Sequence, residues 1–405
     1  MKIRVPKLTA ENCFTFFLVI YWGRDIVFNY VKAILARIPV VSYFAEYMIP
    51  FIMFVFILLS FPYLAKTIFP VDIVFTGAVL VVFLWNIILF PENESLAALS
   101  VTFFASVFPL YFIGLRCESS KHIQPLYIMS IINIWTFFAY YILIGSSSLD
   151  SAQGEYGSYM GRAYILLPQL LIVIYGFLRK KDILNIVTMI IGTILLLMCG
   201  NRGSVLITLF FLLFYLLFNT SKKRRVSGYV GAISLFGILV YYYNHLIKVM
   251  TRLFVNLGMS IRVFERLSNE SFFDSNGRNV IVDKLKTAIS NNPIIGYGLC
   301  SDRTITGSYA HNYAYELWTA FGVILGSLFL IATIYVIFKS WIETKNVENR
   351  GVLLVLICVG FFKLFISSSF LLEGLFFMLI GYGVKLLRMN KFEAVETKGN
   401  IDENL

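Results

Sequence analysis

Residues 69–90 read FPVDIVFTGAVLVVFLWNIILF, an almost wholly apolar run of the length an α-helix needs to cross the hydrocarbon core of a bilayer. Hydrocarbon offers backbone groups no hydrogen-bond partner, so a segment of this kind must be helical. Runs like it recur along the whole chain. Of the 405 residues 59% are hydrophobic and 17% aromatic, and only 14% are charged, against about a quarter in a soluble domain. That leaves too little polar surface to cover a water-soluble globule of this size. The expected fold class is all-α integral membrane: a polytopic bundle of about twelve transmembrane helices with one large outer loop.

The spans are expected near 10–28, 41–64, 69–90, 97–115, 126–145, 163–178, 183–199, 204–218, 227–243, 312–338, 352–367 and 373–387. The first follows Lys2, Arg4 and Lys7, as a signal peptide would, but no small-residue cleavage site comes after it, so it is kept as an uncleaved span. Basic residues gather on alternate connections, at Arg116/Lys121, Arg179-Lys180-Lys181, Lys222-Lys223-Arg224-Arg225 and Lys339/Lys345/Arg350. By the positive-inside rule these, and both termini, face the cytoplasm. One membrane domain is expected over 1–390, with outer segments 146–162 and 244–311, followed by a polar, disordered cytoplasmic tail over 391–405.

Segment 244–311 divides in two. Apolar residues at helical spacing from Leu246 to Leu267, with Lys248, Arg252, Arg262 and Arg266 interleaved, suggest a basic amphipathic helix on the membrane surface. Arg278 to Ser290 reads as a short helix that Asn291-Asn292-Pro293 stops, and Gly296-Tyr297-Gly298 reads as a flexible turn. The chain then re-enters the membrane at His311-Asn312.

Several chemistries are excluded. There is no phosphate-cradling Gly-x-x-x-x-Gly-Lys-Ser/Thr loop, no Asp-x-Asp pair for a nucleotide-sugar's divalent cation, and no metal-ligand spacing among the three histidines. The five scattered cysteines suit buried small apolar residues. What remains on the outer face is a set of arginines, a histidine and a few carboxylates. Arg202, in a tight turn between spans, suits either an anion in a water-filled cavity or an interfacial, snorkelling side chain. Arg162 stands where the other outer loop enters its helix, and an ordinary loop cation fits it; Arg278 begins a glycine-turned helix start, where a guanidinium beside free N–H groups suits phosphate, although an ordinary surface arginine fits as well. His311 can accept a proton from a hydroxyl, or can simply sit at the boundary. Lys363 and Glu373 are either functional intramembrane charges or each other's partner. Gly322 and Gly326 have the spacing of close helix packing.

In order along the chain, Gly277-Arg278, then Asn291-Asn292-Pro293-Ile294-Ile295-Gly296-Tyr297-Gly298, then His311-Asn312, then Glu316-Leu317-Trp318-Thr319-Ala320-Phe321-Gly322-Val323-Ile324 resemble motifs of the O-antigen polymerase/O-antigen ligase superfamily. Asn201-Arg202-Gly203 looks like that family's arginine-glycine motif at the outer end of a helix. Gly161-Arg162 with Pro168 is similar, more loosely, to its upstream arginine region. The resemblance covers residues 160–325.

It implies a GT-C-like glycosyltransferase of the bacterial cytoplasmic (inner) membrane, independent of metal and cofactor, with its site on the periplasmic or outer face. Donor and acceptor would be undecaprenyl-diphosphate-linked oligosaccharides, with membrane lipid around them and a chain-length regulator protein as a further partner; no nucleic acid is involved. A polymerase passes the glycan to another lipid-linked repeat unit of O-antigen or capsule, a ligase to lipid A-core; the polymerase is preferred here. By the same resemblance Arg202 and Arg278 would hold the diphosphate with help from Arg162, and His311 would activate the acceptor hydroxyl. Asn312, Glu316, Arg266 and Lys363 would be further substrate-binding residues. A lipid-linked-glycan flippase or secondary transporter is the alternative from another class: Lys363 favours it, and the absence of paired halves opposes it.

Overall fold

The computed structural model describes residues 9–28, 30–31, 39–151, 159–199, 201–219, a scatter of positions between 230 and 252, and 278–402. Most of the expected span 227–243 and of the basic helix 246–267, Arg266 included, lies outside the described residues. Regular structure among the described residues is helical throughout. In chain order the helices are α1 (Ala10–Gly23), α2 (Pro39–Ala65), α3 (Pro70–Leu89), α4 (Ser95–Thr102), α5 (Leu110–Arg116), α6 (Ser119–Ser151), α7 (Tyr159–Arg179), α8 (Ile183–Met198), α9 (Arg202–Asn219), α10 (Arg278–Asn291), α11 (Ser301–Thr306), α12 (Tyr313–Glu343), α13 (Val347–Leu356), α14 (Lys363–Ile366) and α15 (Gly374–Asp402). Single π-helical turns lie at Arg24–Phe28, Phe103–Val107 and Ile357–Phe362.

Among the described residues seven stretches are long and apolar enough to cross a membrane: Tyr47–Ala65, Pro70–Leu89, Ser95–Arg116, Ser119–Tyr140, Gly161–Arg179, Tyr313–Glu343 and Val347–Ile366. The helices Ile183–Met198 and Arg202–Phe218 are apolar but shorter. α3 illustrates the solvent they are made for. Its positions 74 and 88 carry Val and Ile at 70% and 72% exposure, while Asp72 and Asn86 are buried. Apolar out and polar in is the reverse of a water-facing helix, and it is favourable only in lipid.

The chain divides into two compact units, residues 1–66 with 118–274 and residues 67–117 with 275–405. Buried amides knit the first. The Trp22 carbonyl accepts from Asn133 Nδ2 at 3.1 Å and from Gln169 Nε2 at 3.0 Å, and Trp22 Nε1 donates to Ser130 Oγ at 2.9 Å. Polar side chains join helices in this way where apolar burial supplies no driving force. None of the five cysteines forms a disulfide, and all are buried.

The second unit is organised by a reversal inside α12. Gly322 has φ 73° and ψ 170°, conformations no helix contains. Beyond it the chain turns back. The Tyr313 hydroxyl lies 3.2 Å from Thr333 Oγ1, and Trp318 Nε1 donates to Ser327 Oγ at 3.0 Å. In a straight helix residues twenty apart would be separated by about 30 Å. α12 is therefore two limbs, 313–321 and 323–343, folded into a hairpin. The reversal strands backbone groups that the helix would have paired. Segment 293–298 supplies partners: Tyr297 N–H donates to the Thr319 carbonyl at 2.8 Å, Gly298 N–H to that of Ala320 at 2.9 Å, and Val323 N–H to that of Pro293 at 2.7 Å.

Four expectations change. The segment 312–338 is not one straight helix, because Gly322 breaks it and the freed groups are satisfied from outside the helix. Gly322 and Gly326 do permit close approach, but between limbs of one hairpin: a Cβ at Gly326 would stand 2.7 Å from the Leu317 carbonyl oxygen. α6 runs on to Ser151 and α7 starts at Tyr159, so the segment 146–162, expected to be an outer loop, is helical at both ends; a hydrogen-bond ladder need not stop where hydrophobicity does. α15 likewise continues through 391–402, the stretch expected to be a disordered tail, where helix formers such as Glu393, Ala394 and Glu396 follow an established helix.

Gly322→Ala is expected to destabilise the protein by about 3 kcal/mol or more, because the new methyl would lie 2.2 Å from the Ile294 carbonyl oxygen in a left-handed conformation. Gly77→Ala, in an exposed stretch of α3 with nothing within 4 Å of the new Cβ, should be neutral or stabilising. Thermal unfolding in detergent reads both; equal effects from the two would reject the strained reversal.

Candidate functional site

α10 begins at Arg278 and ends at Asn291, as the helix signals imply. The Arg278 guanidinium Nη1 donates to the Ile366 carbonyl at 2.6 Å and makes no other hydrogen bond among the described residues. Ile366 closes α14, so a cation sits against helix-end carbonyls, a favourable arrangement. Further on, Cys300 (φ 65°) and His311 (φ 54°) hold left-handed conformations, unusual for residues with a side chain. They bracket the short helix α11 and the Gly307 turn.

His311 is half-buried. Its ring lies against Tyr309, centroids 4.0 Å apart, and its Nδ1 is buried without a hydrogen-bond partner. Burial, and after it the positive charge of Arg278, pulls the imidazole pKa down to about 4, so the ring is neutral at ordinary pH. Asn312 opens α12, accepting from Ala314 N–H at 3.0 Å and Tyr315 N–H at 3.4 Å. That use of its side chain is an N-cap.

Behind these lies a buried charged network. Asp302, 2% exposed, accepts from Ala310 N–H at 2.8 Å and pairs with Arg303 at 3.1 Å. Burial pushes the Asp302 carboxyl upward, and Arg303 opposes the shift. Arg303 Nη2 donates to Ser369 Oγ at 3.1 Å. Ser369 Oγ in turn donates to Glu316, which also accepts from Phe370 N–H at 3.2 Å. Lys363 and Glu373 pair at 2.5 Å, with Ser368 Oγ on the same carboxylate at 3.2 Å. Burial pushes the Cys300 thiol up to about 12, which disqualifies it as a nucleophile.

Midway along α15, about 22 Å along the helix from Glu373, Arg388 grips Asp72 through both oxygens, at 2.7 and 2.8 Å. Between the two charged ends lies an aromatic-rich core, with a cavity of about 430 Å³ lined by residues such as Phe83, Leu299, Tyr313, Leu317, Phe329 and Phe377.

In the first unit, Asn201 caps α9, its side chain accepting from Ser204 N–H at 3.2 Å, so Arg202 is the first helical residue and is half-buried. Arg162 is only 7% exposed, and its charge acts on Cys199, just before that turn. The expected residues thus form two groups, Arg162 beside the Cys199–Arg202 turn in one unit, and Arg278 with His311 and Asn312 in the other; Arg266 lies outside the described residues. Glu316 and Lys363 have partners within the protein, a cap on the 367–373 break and an ion pair. Asp302, Arg303 and Ser369 were not singled out from the sequence. Their signal, an acid beside a base in a polar stretch, is too common to distinguish.

No protein family, curated protein or solved structure matches this chain.

Two outcomes are expected. In imidazole-nitrogen NMR, His311 should titrate near 4, and Arg278→Ala should move that midpoint upward. The sign for stability follows: a depressed histidine pKa costs nothing above the unfolded value near 6.5, and stability falls as pH drops below it toward 4. A midpoint unchanged by Arg278→Ala would separate the two side chains. Second, Lys363→Met should destabilise by about 3–5 kcal/mol because it leaves a buried carboxylate alone, and adding Glu373→Gln should recover most of that loss in detergent unfolding. No recovery would mean that Lys363 serves another partner.

Proposed function

We propose that this chain is a GT-C-like membrane glycosyltransferase of about twelve spans that polymerises lipid-linked repeat units of a surface polysaccharide, O-antigen or capsule, on the outer face of the bacterial inner membrane. The observation that carries the reading is that the Arg278 charge acts on the half-buried His311 imidazole, from motifs over thirty residues apart, with His311 held in an unusual backbone conformation. A guanidinium preset beside a neutral imidazole matches the task of the reaction.

An acceptor sugar hydroxyl attacks the anomeric carbon of the donor's reducing-end sugar. A carbon–oxygen bond forms there, the bond to the diphosphate oxygen breaks, and the lipid diphosphate leaves with the electron pair. Charge develops on the leaving oxygens, where preorganised arginines in a water-poor site stabilise it. Arg278 takes that role. His311 takes the hydroxyl proton. The bound diphosphate offsets the charge of Arg278 and so raises the proton affinity of the imidazole. The hydrocarbon of the donor suits the apolar cavity, whose lining includes Tyr313 and Leu317, chain neighbours of Asn312 and Glu316. An empty apolar cavity stays dry and favours an apolar guest.

In a complemented deletion strain, Arg278→Ala and His311→Ala expressed at wild-type levels should each abolish long-chain glycan on a gel. The deletion itself should leave surface glycan capped with single repeat units. Core without any repeat, with lipid-linked polymer accumulating, would instead assign a ligase that uses lipid A-core. Normal chain-length ladders from both variants would reject the site.

A further inference from the structure

We infer that Asp302 is a positioning residue for His311: its buried carboxylate anchors the backbone one residue before the histidine and fixes where the imidazole stands. The inference rests on the proposed role of His311, but its geometry is independent of it. A residue with a side chain stays at φ 54° only when its neighbours leave no alternative. Both neighbours of His311 are fixed. On the C-terminal side, Asn312 is committed to capping α12. On the N-terminal side, Ala310 is 1% exposed and its N–H is spent on Asp302 Oδ2 at 2.8 Å.

Asp302 is itself fixed. It sits in the first turn of α11, and its other oxygen takes Arg303 at 3.1 Å. Arg303 is held by Ser369, and Ser369 by Glu316. The anchor thus reaches through a closed polar chain to the 367–373 break and to the first limb of α12. Every link is buried or half-buried, so few alternatives are open to any of its members. The same loop closes on itself at Thr306, whose hydroxyl lies between the Asp302 and Ser308 carbonyls at 2.8 and 2.7 Å. Releasing Ala310 would let residue 311 relax to a negative φ and turn its ring away from Arg278. Asp302 reaches no reacting atom in this scheme. It acts through His311.

The test uses full-length protein in detergent and diethyl pyrocarbonate, which acylates accessible neutral imidazole, with the His311 peptide followed by mass spectrometry and buried His122 as internal reference. Asp302→Ala should raise the His311 labelling rate about fivefold or more. It should lower kcat for glycan transfer about a hundredfold, with the donor KM little changed. Asp302→Asn keeps an acceptor oxygen for Ala310 and should restore labelling and most of the transfer. Ala310→Pro deletes the donor while leaving Asp302 charged and paired with Arg303, and should reproduce the labelling increase if Asp302→Ala does not fold. The double variant His311→Ala/Asp302→Ala should be no slower than His311→Ala alone. Labelling unchanged in Asp302→Ala or in Ala310→Pro would overturn the inference, and so would an Asp302→Asn protein as inactive as the alanine variant. Wild-type protein that transfers no glycan under any condition would instead remove the proposed reaction, while the labelling result would still decide the role of Asp302.

Discussion

Inside a bilayer an unpaired backbone group has no water to turn to, and this governs the second unit. Gly322 ends one helical limb and starts another, which by itself would leave carbonyls and a leading N–H unsatisfied in an apolar medium. Segment 293–298 meets three of those needs through its own backbone. The exchange is mutual, because the segment is irregular and has the same need. Glycine is required on both sides of the contact: a Cβ at Gly296 would stand 2.5 Å from the Gly322 nitrogen, and one at Gly322 would stand 2.2 Å from the Ile294 carbonyl oxygen. Each half supplies backbone partners that the other lacks.

The candidate site follows from that pairing. Because 293–298 is pinned against the reversal, the chain from Leu299 to Asn312 is tied at both ends. It holds a short helix, three left-handed residues and a buried carboxylate. Here the charged groups are opposed pairwise, Asp302 with Arg303 and Lys363 with Glu373, and a hydroxyl bridges Arg303 to Glu316. Such pairs contribute little net stability, since desolvation consumes most of their attraction. Their value is geometric: few other arrangements satisfy all of them at once. Arg278 and His311 differ, in that each retains hydrogen-bonding capacity that the described residues do not use.

Much of this was legible in the sequence. Hydropathy gave the membrane-spanning, all-helical class because lipid leaves no other option for long apolar runs. The Asn-Asn-Pro stop located the end of α10, and the proposal that Lys363 and Glu373 partner each other rested only on two charges in apolar surroundings. The reversal at Gly322 was not legible. Hydropathy is indifferent to whether an apolar run is straight, and a GxxxG spacing reads the same whether the glycines face another helix or another limb of their own. The network around Asp302 was hidden for a related reason. The pair 302–303 is separated in the chain from 316 and by more than sixty residues from 369, and what joins them is a fold that begins with the reversal.

A broken helix near buried charges is also how many secondary transporters build an ion or substrate site. In that architecture the break is useful because its unwound carbonyls and helix-end N–H groups face a cavity and coordinate the passenger. Here the carbonyls of Thr319 and Ala320 and the N–H of Val323 are already bound to protein backbone. The Lys363 ammonium, the feature most suggestive of transport, lies on Glu373. The break thus has little left to offer a travelling ion, and what it does achieve is rigidity around His311 and Arg278. Holding a few groups in one costly geometry is what bond-making chemistry needs, whereas alternating access needs elements that exchange partners. On that physical ground the transferase reading stands ahead of the transporter.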